Sequence, residues 1–255
     1  MGRLLAKTAI ITGAAGGLGK AHVMAMLREG ANVVATDRNI PALEILVKNL
    51  DAPEQRFLAL QHDVTEEESW KSVVTATVER FGRLDILVNN AAISESQSIE
   101  ETTLAAWRRT MAANLDGPFL GTKLAIETMR YSGGGSIVNI CSMAAEITSA
   151  VNTAYSASKA GVRLLTKSAA LHCAEQGYNI RVNSVSPGAI DTDMLKLLRD
   201  NPETRHVYDQ MLESMPLKRL ARPEEIANAV VFLASDESSY CLGTDMMVDG
   251  AFTCR

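Results

Sequence analysis

Cysteine is scarce in this chain of 255 residues: Cys141, Cys173, Cys241 and Cys254 lie far apart, with no Cys-x-x-Cys pair among them. That spacing excludes a disulfide framework and offers no zinc-ligand set, so the four read as reduced thiols. Histidine is equally sparse and dispersed, at His22, His62, His172 and His206, and no metal is expected. Aromatics make up 5% of the residues and the formal charge is -5, which leaves no basic, aromatic-lined stripe for nucleic acid. No apolar run reaches the roughly 20 residues that span a bilayer. The start, Met1-Gly2-Arg3-Leu4-Leu5-Ala6-Lys7, has no apolar leader, and Ala6 stands where a myristoylation signal needs Ser or Thr. The expectation is a soluble cytoplasmic protein that binds neither nucleic acid nor membrane.

What the chain has in quantity is apolar residues, 47% of the total, enough to build one large α/β domain or two small ones. Short β-branched runs predict strands over 8–12, 32–36, 57–60, 85–88, 136–141, 180–185 and 246–250. Helical periodicity fills the gaps over 20–29, 41–50, 66–80, 103–114, 118–131, 155–175 and 222–233. In the third helix the expected inner face is Trp70, Val73, Val74 and Val78; Asp116-Gly117 lies between the fourth and fifth. With no linker, charge run or repeat, the alternation predicts a single doubly wound (Rossmann) α/β domain over 1–255. Its seven-stranded parallel sheet is flanked by helices on both faces. The rhythm lapses over 189–220, where Met194, Leu195, Leu197, Leu198, Met211, Leu212, Met215 and Leu217 stand among charges. That stretch reads as a substrate lid or as peripheral packing helices.

The residues at the predicted strand ends carry the chemistry. Gly13-Ala14-Ala15-Gly16-Gly17-Leu18-Gly19 follows the first strand and opens a helix, and Gly13, Gly17 and Gly19 allow a pyrophosphate to approach backbone amides at the helix's positive end. Asp37 ends the second strand, placed to bind ribose hydroxyls and to repel a 2′-phosphate, which favours NAD; Arg38 beside it could hold a phosphate. Asp63, with Val64, starts the loop after the third strand and could bind an adenine amino group, cap the next helix, or do both. The small residues of Asn89-Asn90-Ala91-Ala92 let a cofactor lie against the backbone. Asn114, on an apolar background, is either a satisfied core amide or the holder of a proton-relay water. Tyr155 and Lys159 stand at i and i+4 among Ala154, Ser156, Ala157, Ser158, Ala160 and Gly161. They are either a packed ring beside a solvated charge or an acid/base pair in which the ammonium favours the phenolate.

Taken in order, these motifs resemble the short-chain dehydrogenase/reductase family over essentially the whole chain. Thr12-Gly13-x-x-x-Gly17-x-Gly19 matches its cofactor turn, Asn89-Asn90-Ala91-Ala92 resembles its Asn-Asn-Ala-Gly segment, and Ser142 with Tyr155 and Lys159 matches its catalytic Ser and Tyr-x-x-x-Lys. Asn114 falls at its fourth catalytic position, and Pro187-Gly188, Ile190 and Thr192 fit its nicotinamide-side loop. Ala92 and Ala251 stand where the family usually has glycine.

The resemblance implies hydride transfer between NAD(H) and an alcohol, with Tyr155 as base, Ser142 as donor to the substrate oxygen, Lys159 on the ribose, and Asn114 ordering a water. Met1-Gly2-Arg3 and the stretch from Gln176 to Met194 look most like bacterial NAD-dependent secondary-alcohol and hydroxysteroid dehydrogenases. The implied substrate is therefore a hydrophobic, cyclic secondary alcohol or its ketone, with Ser94, Met143, Asn152 and Met194 as candidates to touch it. The rivals are an NADPH-dependent 3-oxoacyl-carrier-protein reductase and a non-catalytic NAD-binding regulator. Relatives assemble as tetramers or dimers through the helices after Gly117 and around Tyr155, and the small residues Gly121, Ala125, Ala157, Ala160 and Gly161 are compatible with such close packing.

Overall fold

The computed structural model describes residues 2–50, 53–192, 195 and 199–254. Seven parallel strands form one sheet: β1 (Thr8–Thr12), β2 (Asn32–Asp37), β3 (Phe57–Gln61), β4 (Ile86–Asn89), β5 (Gly135–Ile140), β6 (Ile180–Pro187) and β7 (Asp245–Val248), in the order β3-β2-β1-β4-β5-β6-β7. The order reverses between β1 and β4, with Ile11 paired to both Ala35 and Val88. A ligand cleft opens beyond the carboxyl ends of strands at such a switch point.

The period of two along each strand divides its side chains between two cores. On one face Ile11, Val33, Ala35, Val88 and Val138 meet α1 (Gly17–Arg28), α2 (Ile40–Lys48) and a C-terminal helix (Pro223–Ala234). On the other, Ile10, Val34, Leu87, Ile137 and Val182 meet α3 (Glu67–Phe81), α5 (Gly117–Met129) and α6 (Thr153–Glu175) through Trp70, Val73, Met129 and Cys173. Each fully buried large aliphatic contributes about 1.5–3 kcal/mol. Helices thus cover both faces, as the alternation predicted.

Several local expectations need correction. In α3 the buried positions are Trp70, Val73 and Thr77, whereas Val78 is 37% exposed; the Thr77 hydroxyl is satisfied by the Val73 carbonyl at 2.7 Å and can turn inward. Asp116-Gly117 does not separate two helices. Helix α4 (Leu104–Met111) passes through one π-helical turn, Ala112–Asp116, directly into α5. Gly117 is there for packing: a Cβ would lie 3.1 Å from Val64 Cγ2. Gly121 faces Trp70 and Asn89, Gly161 faces Leu115 and Ala125 is buried, so these three small residues serve packing within the chain.

Within the expected lid, Met194, Leu197 and Leu198 lie outside the described residues. The helix Arg205–Ser214 carries Tyr208 into a separate small cluster with Met215, Leu220 and the near-terminal Phe252. Ala251 sits in the left-handed region at φ 67°, where a glycine would be unstrained. No described helix is long and apolar enough to cross a membrane, and among the described residues no group of three or more His, Cys, Asp or Glu could hold a metal.

Candidate active site

Strand β1 ends at Thr12, and its hydroxyl organises the start of the cleft. It accepts the N–H groups of Asn90 and Ala91, each at 3.0 Å, which joins the end of β4 to the glycine turn. The Asn90 side chain closes the junction by donating to the carbonyls of Thr12 (2.9 Å) and Gly13 (3.1 Å). Gly13 has φ +64°, and a Cβ on it would come within 2.8 Å of Ala91 Cα. Helix α1 starts at Gly17, three residues earlier than periodicity suggested, and Gly16 before it gives no side-chain cap. Its first amides therefore face the cleft with no side-chain cap among the described residues.

Asp37 is held at the edge of this cleft: one carboxylate oxygen accepts the Ala15 N–H at 3.1 Å and the other the Asn39 N–H at 2.9 Å. Asp63 turns one oxygen back onto the Thr65 N–H (3.0 Å) and hydroxyl (2.7 Å). The Thr65 N–H is the main reason its carboxyl lies below the ordinary range. Glu66, the residue before α3, receives no side-chain cap, so Asp63 organises its own loop and does not cap that helix.

At the other end of the cleft, the first two turns of α6 bring Tyr155 and Lys159 forward. Lys159 is 2% exposed, and its ammonium donates to the Ile140 carbonyl at the end of β5 (2.8 Å), 5.7 Å from the centre of the Tyr155 ring. Ser142, just beyond β5, accepts the Ala144 N–H at 3.1 Å, which occupies a lone pair and leaves the hydroxyl proton to donate.

One cavity of about 470 Å³ is lined by Gly13, Gly17, Leu18, Gly19, Asp37, Asp63, Val64, Asn90, Ala91, Ser142, Tyr155, Lys159, Pro187, Gly188, Ile190 and Thr192. The cofactor-side candidates and three of the four catalytic candidates therefore share a single cleft. Asn114 does not line it. Buried behind Ala113, its amide accepts the Ile93 N–H (2.8 Å) and donates to the Ile93 carbonyl (2.8 Å) and the Ser158 hydroxyl (3.2 Å). One amide proton goes to the loop after β4 and the other to Ser158 on α6, which makes the side chain a brace for the wall of the cleft. The substrate candidates Ser94, Met143 and Asn152 also fall outside the lining. They sit on the loops before α4 and before α6, which meet where the Gln97 N–H donates to the Val151 carbonyl at 2.8 Å, beyond the strand ends that form the cavity. Met194 lies outside the described residues.

Sequence reasoning left out His62, Cys141, Ile93 and Ala113, which the cleft includes. His62 and Cys141 adjoin Asp63 and Ser142 at strand ends, and that adjacency was the available signal. Burial lowers the His62 ring to about 4, while its Nδ1 lies 2.9 Å from the Thr36 hydroxyl and its ring stands edge-on to Trp70. Burial also raises the Cys141 thiol, so it is no ready nucleophile.

A parallel sheet with a glycine turn at its switch point and a tyrosine–lysine pair across the same cleft defines a Rossmann-type oxidoreductase. Comparison with known proteins agrees. A short-chain dehydrogenase model described as enoyl-(acyl carrier protein) reductase matches residues 13–253. The chain is 39% identical over 255 residues to an NADP-dependent (R)-specific alcohol dehydrogenase of Lentilactobacillus kefiri, covering 99% of both chains. It is 40% identical over 257 residues to a trans-4-hydroxycyclohexanecarboxylate dehydrogenase of Sinomonas cyclohexanicum, covering 98% of this chain and 94% of that one. The crystal structure of gox2181 superposes with a TM-score of 0.92 at 34% identity, over 99% of this chain and 98% of that chain. The protein belongs to the short-chain dehydrogenase/reductase family.

Proposed function

We propose that this protein interconverts a hydrophobic, cyclic secondary alcohol and its ketone with NAD(H). The observation that carries the reading is the meeting of Ser142, Tyr155 and Lys159 with Gly13, Gly17, Gly19 and Asp37 in one cavity. A nicotinamide dinucleotide fits the residues present. Among the described residues a Cβ on Gly17 would find only Thr192, at 3.8 Å, which leaves the space above the turn open to a pyrophosphate, and Asp37 stands at the end of β2 for the adenosine ribose. When bound, the nicotinamide supplies the hydride acceptor for oxidation and the donor for reduction.

The chain's own residues handle the proton and the charge. The Tyr155 oxygen takes the substrate hydroxyl proton as the carbinol carbon gives up hydride, and Lys159 keeps positive charge beside the ring. Ser142 donates to the substrate oxygen as negative charge builds there, an interaction of about 3–4 kcal/mol in the transition state. Asn114 supports this by fixing Ile93 in the wall.

The preference for NAD follows from Asp37, whose carboxylate would oppose the extra charge of a 2′-phosphate. Arg38 lines the same cavity and favours the second reading, use of NADP(H), which the name of the L. kefiri relative also carries. The cyclic substrate is supported by the name of the S. cyclohexanicum relative. A homotetramer or homodimer in the cytoplasm completes the reading.

Initial rates on cyclohexanol, cyclopentanol, a hydroxysteroid, a sugar and a 3-oxoacyl thioester, each with both nicotinamides, test it. Fastest turnover of a cyclic alcohol with NAD is expected. Turnover confined to the thioester with NADPH makes the protein a 3-oxoacyl reductase, and NADH binding without any turnover makes it a regulator; either result overturns the proposal.

A further inference from the structure

Arg163 lies one turn beyond Lys159 and two beyond Tyr155 on α6, so the three share a face of the helix. Its guanidinium donates to Glu146 Oε2, and its Nε sits 3.2 Å from Asp245 Oδ2, close enough to pair though off the hydrogen-bond axis. Asp245, on β7, has a side chain only 8% exposed and accepts the hydroxyls of Ser184 (2.7 Å) and Ser186 (2.8 Å) from β6. Ser186 immediately precedes Pro187 and Gly188 in the cleft lining. Glu146 directly follows the short 3-10 turn Met143–Ala145, which Ser142 begins; the N–H groups of Ala145 and Glu146 donate to the carbonyls of Ser142 and Met143, each at 3.0 Å. One guanidinium therefore ties the turn carrying Ser142, the helix carrying Tyr155 and Lys159, and the edge strand packed beside Ser186.

Resting on the oxidoreductase reading above, we propose that Arg163 is a positioning residue: through Glu146 and Asp245 it sets Ser142 relative to Tyr155. The fork of arginine meets two carboxylates on different elements, which the point charge of lysine does not reproduce. The Glu146 arm is 48% exposed at the side chain, and such pairs add little to stability, so its consequence is geometric. A donor to a developing oxyanion acts only when held in place, and small misplacements of such groups cost up to about a hundredfold in rate.

The test measures kcat, KM, NADH affinity and Tm for Glu146→Gln and Arg163→Lys, alone and combined with Ser142→Ala, on cyclohexanol or, where faster, cyclopentanol. Glu146→Gln leaves the pairing of Arg163 with the buried Asp245 intact and so keeps a folded variant in the series. The expected result is a fall in kcat of about tenfold to a hundredfold, with NADH affinity and Tm held. The same substitution should cause no further fall once the Ser142 hydroxyl is gone. Unchanged kcat in Glu146→Gln, or an undiminished loss in the Ser142→Ala background, overturns the proposal. If Ser142→Ala itself matches the wild type, the catalytic reading fails instead, so the two failures are distinguishable.

Discussion

The Lys159 ammonium stands 5.7 Å from the centre of the Tyr155 ring, pinned there by the Ile140 carbonyl at 2.8 Å. The lysine is therefore positioned by the sheet as well as by its own helix. Its charge is delivered to the phenol edge of the cleft without depending on a flexible side chain in water.

Removing the phenol oxygen should accordingly isolate the chemical step. Tyr155→Phe keeps the ring and its packing, so NADH affinity is expected to stay at the wild-type value while kcat falls by about 10²–10⁴, the usual contribution of a positioned acid/base group. Fluorescence titration with NADH and steady-state rates check this; turnover near the wild-type level would remove Tyr155 from the mechanism.

The glycines of the turn should separate into two kinds. A Cβ on Gly19 would lie 2.1 Å from the Gly13 carbonyl oxygen, a backbone collision, so Gly19→Ala should lower Tm sharply or prevent folding. Among the described residues a Cβ on Gly17 meets nothing closer than Thr192 at 3.8 Å, and alanine is the better helix former by up to about 1 kcal/mol. Gly17→Ala should therefore fold at least as well as the wild type yet bind NADH about tenfold more weakly, the equivalent of about 1.4 kcal/mol. Equal effects of the two substitutions on Tm and on NADH affinity would contradict the assignment of the open space to the cofactor.

Acid should destabilise the fold through its buried histidines. His22 is fully buried, neither ring nitrogen is partnered among the described residues, and burial lowers it to about 3; burial lowers His62 to about 4. The unfolded chain binds these protons first. Stability is thus fully present above the ordinary histidine value of 6.5 and is lost as the pH falls towards 4 and below. Each ring contributes a slope of up to about 1.4 kcal/mol per pH unit in that window. Denaturant unfolding at about pH 7 and about pH 5 should show His22→Met losing less stability than the wild type; an identical loss in both would exclude His22 as a source.

The parts of this protein that its sequence determined are those set by neighbours along the chain. The strand and helix periods, the glycines between β1 and α1, the acid that ends β2 and the one-turn spacing of Tyr155 and Lys159 all depend on residues a few positions apart. Backbone geometry converts such spacings directly into shape. The rest depended on groups distant in sequence. Asn114 is diverted from the cleft because Ile93, 21 residues away, takes its amide in both directions. The Asn90 amide spans 78 positions to seal the junction with Thr12, and Gly121, open to solvent or to a partner as far as its helix shows, is closed off by Trp70. No local pattern encodes these contacts, because each is chosen by the packing of the whole sheet against both helical layers, where a buried polar group takes the partner that the assembled fold brings within reach.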